Sequence, residues 1–156
     1  MTGATFQLLS LDQLDQIKTL WENHNTYSVS ISAHFPGFFG QNKFEDVKRY
    51  FIEKSKVRSL RVEIGTPENS ANCIAYCLAS FSSDKQGEIE SLYVDPTYRN
   101  NGIGTALMNN AIEWMDQNGT VVKSVGVLPE NGVAFRFYAR FGFYPALVSL
   151  VKTKSA

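Results

Sequence analysis

"YVDPTYRNNGIGTAL", residues 93–107, runs from an apolar strand through a tight turn and two glycines into a helical repeat. Upstream, "EIESLYVD" (88–95) reads as a strand with Leu92 and Val94 apolar. Downstream, Ile103, Leu107, Ala111, Ile112 and Met115 recur at helical spacing, and Asn118-Gly119 supplies a helix stop. A strand that ends in a glycine turn opening a helix exposes the first unpaired N–H groups of that helix, which also carry the positive end of its dipole. Small residues let a ligand approach this backbone, so the pattern predicts an anion site, most often for phosphate. Arg99 adds charge and a planar donor fork. Asn100, Asn101 and Thr105 add further donors. Two familiar phosphate motifs do not fit. A dinucleotide fingerprint needs a third glycine at position 107, which is Leu107, and an acid about 20 residues on, where Lys123 and Ser124 lie. A P-loop needs Gly-Lys-Ser/Thr, whereas Gly104 precedes Thr105-Ala106.

Working outward, "TFQLL" (5–9) reads as a strand. Ser10 and Gln13 form a capping-box pattern ahead of a helix over 11–24. The stretch 25–41, with Pro36, Gly37 and Gly40, has no clean period and is expected to be a long aromatic connection. Asn42 and Glu45 are placed to cap a second helix, 43–56. Strands are expected at 57–65, 72–82 and 88–95, the third helix after the glycine turn, a strand at 121–128, a short helix at 131–142 and a last strand at 143–152. The order β-α-α-β-β-β-α-β-α-β predicts a mixed α/β (α+β) domain over 1–156, with six to seven mostly antiparallel strands and four helices.

The composition is that of a globular chain: 44% hydrophobic, 19% charged, and 15 basic against 15 acidic residues. A net charge near zero gives no broad field for nucleic acid or an anionic membrane. Residues 1–18 lack the pattern of a signal peptide, and no window approaches 18 uninterrupted apolar residues. Cys73 and Cys77 sit four apart on one strand, roughly 13 Å, too far for a mutual disulfide. They read as buried thiols of a reducing compartment and not as metal ligands, and the expected location is the cytoplasm.

"RNNGIG" (99–104), after "LYVDP" (92–96), resembles the central motif of the GNAT superfamily of acyl-CoA-dependent N-acyltransferases. "ENGVAFRFYARFGFYP" (130–145) resembles that family's Asn…Ala-x-x-x-Tyr…Gly-Phe segment. The resemblance covers about 72–147. It implies a GNAT-like fold and acetyl-CoA as cofactor. The N–H groups from Asn101 through Gly102, Ile103 and Gly104 to Thr105 would cradle the pyrophosphate, assisted by Arg99. The backbone of Leu92, Tyr93 and Val94 would pair with the pantetheine arm. Strands 88–95 and 121–127 would splay to admit the thioester, and Asn131, near Ala134, would hydrogen-bond the cofactor at the mouth.

For the chemistry, Glu88 and Glu90 lie two apart on one strand and so face one side. Glu88 matches the family's base position, a role that a water relay could also fill. Gly126 stands where some protein-acetylating members carry a glutamate. Tyr138 matches the tyrosine that protonates the departing thiolate, and Tyr27, His24, His34 and Phe38 lie where the family builds its acceptor pocket. Carbonyl polarisation is expected from a backbone N–H near Tyr93 or Val94, freed by a strand bulge. The implied function is transfer of an acetyl group to a primary amine, most simply a small one, by direct attack in a ternary complex. A protein or peptide acceptor and a non-catalytic acyl-CoA sensor remain open, as does a homodimer, since many relatives are dimers.

Overall fold

The computed structural model describes residues 3–154; residues 1–2 and 155–156 of the expected 1–156 domain lie outside it. Its centre is one sheet in the order β1-β2-β3-β4-β5, formed by Ala4–Leu9, Arg58–Pro67, Ala75–Ser82, Gln86–Val94 and Val122–Val125. All neighbours are antiparallel except β4 and β5, which are parallel because the helix between them carries the chain back across the sheet.

Helices cover both faces. On one lie α1 (Lys18–Ile31), reached through a 3-10 turn at Leu11–Ile17, then α2 (Pro36–Gly40) and α3 (Phe44–Lys54). On the other lie α4 (Ile103–Gln117) and α5 (Gly132–Ala139). The central strand β3 is apolar on both sides, as a doubly covered strand must be. Its Tyr76 and Leu78 pack with Leu14, Ile17, Leu20, Phe44 and Phe51. Its Ala75, Cys77 and Ala79 meet Ile103, Leu107, Met108 and Met115. Small residues on that second face let α4 lie close to the sheet. Burial pushes the Cys77 thiol up to about 12, so it behaves as a small hydrophobe.

Several expectations change. The described residues hold five strands, not six or seven, and five helices, not four. The segment expected as a strand at 143–152 carries no strand pairing. The connection expected over 25–41 is helical as far as Ile31 and again at Pro36–Gly40. Ser28 and Ser30 fit inside α1 because each hydroxyl donates back to a carbonyl of the preceding turn, of His24 at 3.1 Å and Tyr27 at 2.6 Å. Lys43, without a side-chain cap, stands at the N-cap of α3 where Asn42 was expected. The Ser10 box does form, with the Ser10 N–H donating to Gln13 Oε1 at 3.0 Å. No described helix is long and apolar enough to cross a membrane.

β4 is irregular. Leu78 pairs with Ser91 and Ala79 with Ile89, so Glu90 is an extra residue that β3 does not match. Upstream of it Ile89 packs towards α4; downstream Leu92 and Val94 do, while Tyr93 joins the α1 side.

Candidate active site

The site begins where β4 and β5 part. Their pairing covers only Gln86–Ile89 against Val122–Val125, after which β5 ends and β4 continues to Val94 with one edge uncovered. The Asp95 N–H donates to the O of Ile74, the residue just ahead of β3, at 2.9 Å. By the alternation of an antiparallel ladder, the backbone N–H and C=O of Val94 and Leu92 then face the uncovered edge. Arg99 Nε confirms that direction by donating to Val94 O at 2.9 Å, with its guanidinium 5.3 Å from the centre of the Tyr93 ring.

The next element is the head of α4. Asp95 caps only the short turn Pro96–Tyr98, accepting from the Thr97 N–H at 2.9 Å. Asn100 and Gly102 then take positive φ, 63° and 79°, and Gly102 stands at the N-cap with no side chain to offer. The first helical bond is Ala106 N–H to Gly102 O at 2.9 Å, which leaves the N–H groups of Ile103, Gly104 and Thr105 without helical partners. A Cβ on Gly104 would lie 3.4 Å from Phe137 and 3.5 Å from Val94, so the helix head sits tightly between β4 and α5. Arg140 flanks it, donating from Nη2 to Thr105 Oγ1 at 2.9 Å.

α5 supplies the third wall. Asn131 caps it by accepting from the Ala134 N–H at 3.1 Å. Two turns on, Tyr138 is buried, with ring contacts to Phe137 and Phe143. Burial, reinforced by Cys77, holds its phenol well above the ordinary range, so it stays protonated. These walls enclose a cavity of about 450 Å³. Its charged lining residues are Arg99 and Arg140, and among the described residues no carboxylate lines it.

A profile described as the acetyltransferase (GNAT) family matches residues 25–143. The chain belongs to the GNAT family. An uncharacterized N-acetyltransferase of Methanocaldococcus jannaschii is 37% identical over 79 residues, 51% of this chain and 35% of that protein. One of Archaeoglobus fulgidus is 32% identical over 105 residues, 65% of this chain and 71% of that protein. The chain thus spans only about a third of the length of the first. A crystal structure of the PaiA N-acetyltransferase from Thermoplasma acidophilum in complex with coenzyme A superposes with a TM-score of 0.67 at 19% identity, covering 90% of this chain and 89% of that one.

Within this GNAT domain the cavity gathers many of the expected residues: Leu92, Tyr93, Val94, Arg99, Asn100, Gly102 to Thr105, Asn131, Ala134, Tyr138 and Tyr27. Asn101 lies off the cavity and donates from Nδ2 to Tyr98 O at 3.3 Å. His34 and Phe38 are not in its lining either. His34 stacks edge-on with Phe35, and Phe38 is half exposed beside Phe39. Glu88 and Glu90 do share a face, but neither lines the cavity. Lys54 Nζ, arriving from α3, lies 3.5 Å from Glu88 and 2.5 Å from Glu90, and Ser80 Oγ donates to Glu90 at 2.6 Å. Arg140, Phe137, Val133 and Tyr98 complete the lining without having been singled out in the sequence. The only advance sign of Arg140 was a cation two residues after Tyr138.

His24 also lines the GNAT cleft. Its ring stacks 5.1 Å from Tyr93, and Nδ1 lies 3.3 Å from Tyr76 Oη and 3.5 Å from Ser91 Oγ, themselves 2.9 Å apart. Burial, then the nearby Arg99 charge, lowers its pKa from 6.5 to about 4, so the imidazole is neutral at pH 7. With the folded value depressed, the unfolded chain binds the proton first. The stabilisation is complete above pH 6.5 and is lost as pH falls towards 4, at no more than about 1.4 kcal/mol per unit. His24→Asn should therefore lose less stability than the parent between pH 7 and 5, by about 1–2 kcal/mol in urea unfolding. Parallel losses would show that His24 is not held neutral.

Proposed function

We propose that the chain is an acetyl-CoA-dependent N-acetyltransferase that acetylates a primary amine, most simply a small one, by direct attack in a ternary complex. The observation that carries this reading is the uncapped head of α4, three free N–H groups between Arg99 and Arg140, beside an uncovered β4 edge. That combination suits a pyrophosphate followed by an extended amide-bearing arm. When bound, acetyl-CoA supplies an activated thioester. The Ile103, Gly104 and Thr105 N–H groups and Arg99 would hold its phosphates, and Leu92 and Val94 would pair with its arm.

The Val94 N–H, on the free edge, is the donor available to a developing oxyanion. Tyr138, held protonated, delivers its proton to the departing sulfur. An alkylammonium near pKa 10.4 is roughly one part in 2,500 neutral at pH 7, a deficit of about 4.6 kcal/mol. Glu88 and Glu90 lie on Lys54, so either reaches the amine only through water, along a cleft wall that presents neutral His24. The same engagement favours one other reading, acyl-CoA binding without turnover.

The test is thermal stability with acetyl-CoA, CoA, ATP and NAD added separately. A ligand at 100 times its Kd adds about 2.7 kcal/mol, several degrees for a domain of this size. Acetyl-CoA and CoA alone should raise the midpoint, and thiol release with an amine panel should follow. A shift without release across the panel supports the sensor, and no shift with either CoA species removes the reading.

A further inference from the structure

His24 lies one turn after the buried Leu20, on the face of α1 that meets the sheet, and one turn before Tyr27, its neighbour in the cavity wall. Its Nδ1 meets a pair of hydroxyls on the strands, Tyr76 Oη at 3.3 Å and Ser91 Oγ at 3.5 Å. Nε2 has no hydrogen-bond partner among the described residues and is not buried. One ring nitrogen is thus tied to the sheet, and the other is left open on a residue that lines the cavity.

Tyr76 decides which nitrogen carries the hydrogen. It is fully buried in β3, and burial holds its phenol above the ordinary range, so the hydroxyl keeps its hydrogen and must use it inside the protein. Its contact with Ser91, 2.9 Å, is shorter than the one with Nδ1, and the half-buried Ser91 can turn its own hydrogen to water. Tyr76 therefore donates to Ser91 and accepts from Nδ1–H. A neutral ring with its hydrogen on Nδ1 leaves Nε2 as a bare acceptor.

That acceptor stands beside the reacting end of the cleft. The ring stacks on Tyr93, next in sequence to Val94, and Tyr138 lines the same cavity. We propose that His24 receives the attacking amine: Nε2 accepts one of its N–H groups and so fixes which way its lone pair faces. This inference rests on the acetyl-transfer reading. A carboxylate in the same place would favour the ammonium, which cannot attack, whereas a neutral imidazole accepts from the free amine without adding charge. Tyr76 and Ser91 are positioning residues, acting through the ring by setting its tautomer.

The first readout needs no turnover. The ring-nitrogen resonances of isotope-labelled protein at pH 7 tell the tautomers apart, and His34→Gln assigns the two histidines. His24 should carry its hydrogen on Nδ1, and Tyr76→Phe with Ser91→Ala, which removes both partners, should mix the two forms. Nε2–H in the parent, or a tautomer unmoved in the double variant, would overturn the proposal. The second readout is kinetic, with the best amine of the panel. His24→Asn keeps a group for Tyr76 and has nothing in the place of Nε2. It should lower kcat/KM for the amine about 10-fold or more and leave the KM for acetyl-CoA nearly unchanged. His24→Gln, whose longer side chain returns an oxygen near that place, should recover part of the loss. Unchanged thiol release in His24→Asn, or an equal rise in both KM values, overturns the role of His24 and leaves acetyl transfer standing. No release from the parent with any amine overturns both.

Discussion

Tyr138→Phe should lower kcat about 10²-fold or more while leaving the KM for acetyl-CoA nearly unchanged. The ring contacts with Phe137 and Phe143 survive the substitution, at 5.2 and 6.1 Å between centroids. The hydroxyl has no hydrogen-bond partner among the described residues, so its removal costs little stability. What is lost is one proton donor in the cavity wall, kept protonated by burial at every pH where an amine is a useful acceptor. Steady-state kinetics with the best amine of the panel, beside a melting curve, separates the two effects. Unchanged turnover would remove Tyr138 as the acid, and a fall in melting temperature without a fall in kcat would make it a core residue.

Lys54→Met should cost about 3–5 kcal/mol. Lys54 and Glu90 side chains are 13% and 6% exposed, so the pair lies largely out of water. Tyr50 Oη and Glu88 share the ammonium, at 2.9 and 3.5 Å, and Arg58 Nε donates to the Ser80 hydroxyl that in turn serves Glu90. Removing the cation leaves a buried carboxylate facing only a serine. Removing both charges, as Lys54→Met with Glu90→Gln, leaves no such orphan and should recover most of the loss. Urea unfolding of the two variants reads the difference directly. Equal losses would mean that the packing of the lysine stem, not the charge, is what matters.

The glycine turn was legible because its signals are local. A helical repeat begins at Ile103, glycine precedes it where φ is positive, and no capping side chain intervenes. Tyr138 was legible for a similar reason, through the spacing of Ala134, Tyr138 and Gly142 around one short helix. Residues 25–31 were not. Tyr27, Ser28, Val29, Ser30 and Ile31 have weak helix preference, and the helix persists there because α2 and the β4 face pack against it and the serine hydroxyls bond within it. The pairing of Glu88 with Glu90 on one face followed from strand geometry. The arrival of Lys54 between them is a tertiary contact, 34 and 36 positions away in sequence, that no local pattern contains. The makeup of 143–152 reads as a strand, yet the structure gives that segment no strand pairing, because β-branched composition alone supplies no partner.

Glu90, the residue that β3 leaves unmatched, gives β4 two reading frames. Up to Ile89, odd positions look towards α4; from Ser91 onwards even positions do. Deleting this one residue would merge the frames. Tyr93 would stay on the α1 side and Val94 on the α4 side, since Ile89 and Ser91 already pair with neighbouring residues of β3, and what would go is the local bend of the strand and the carboxylate that meets Lys54. The extra residue thus sits where β4 leaves β5, bending the strand at the mouth of the cleft, with its carboxylate fastened to Lys54.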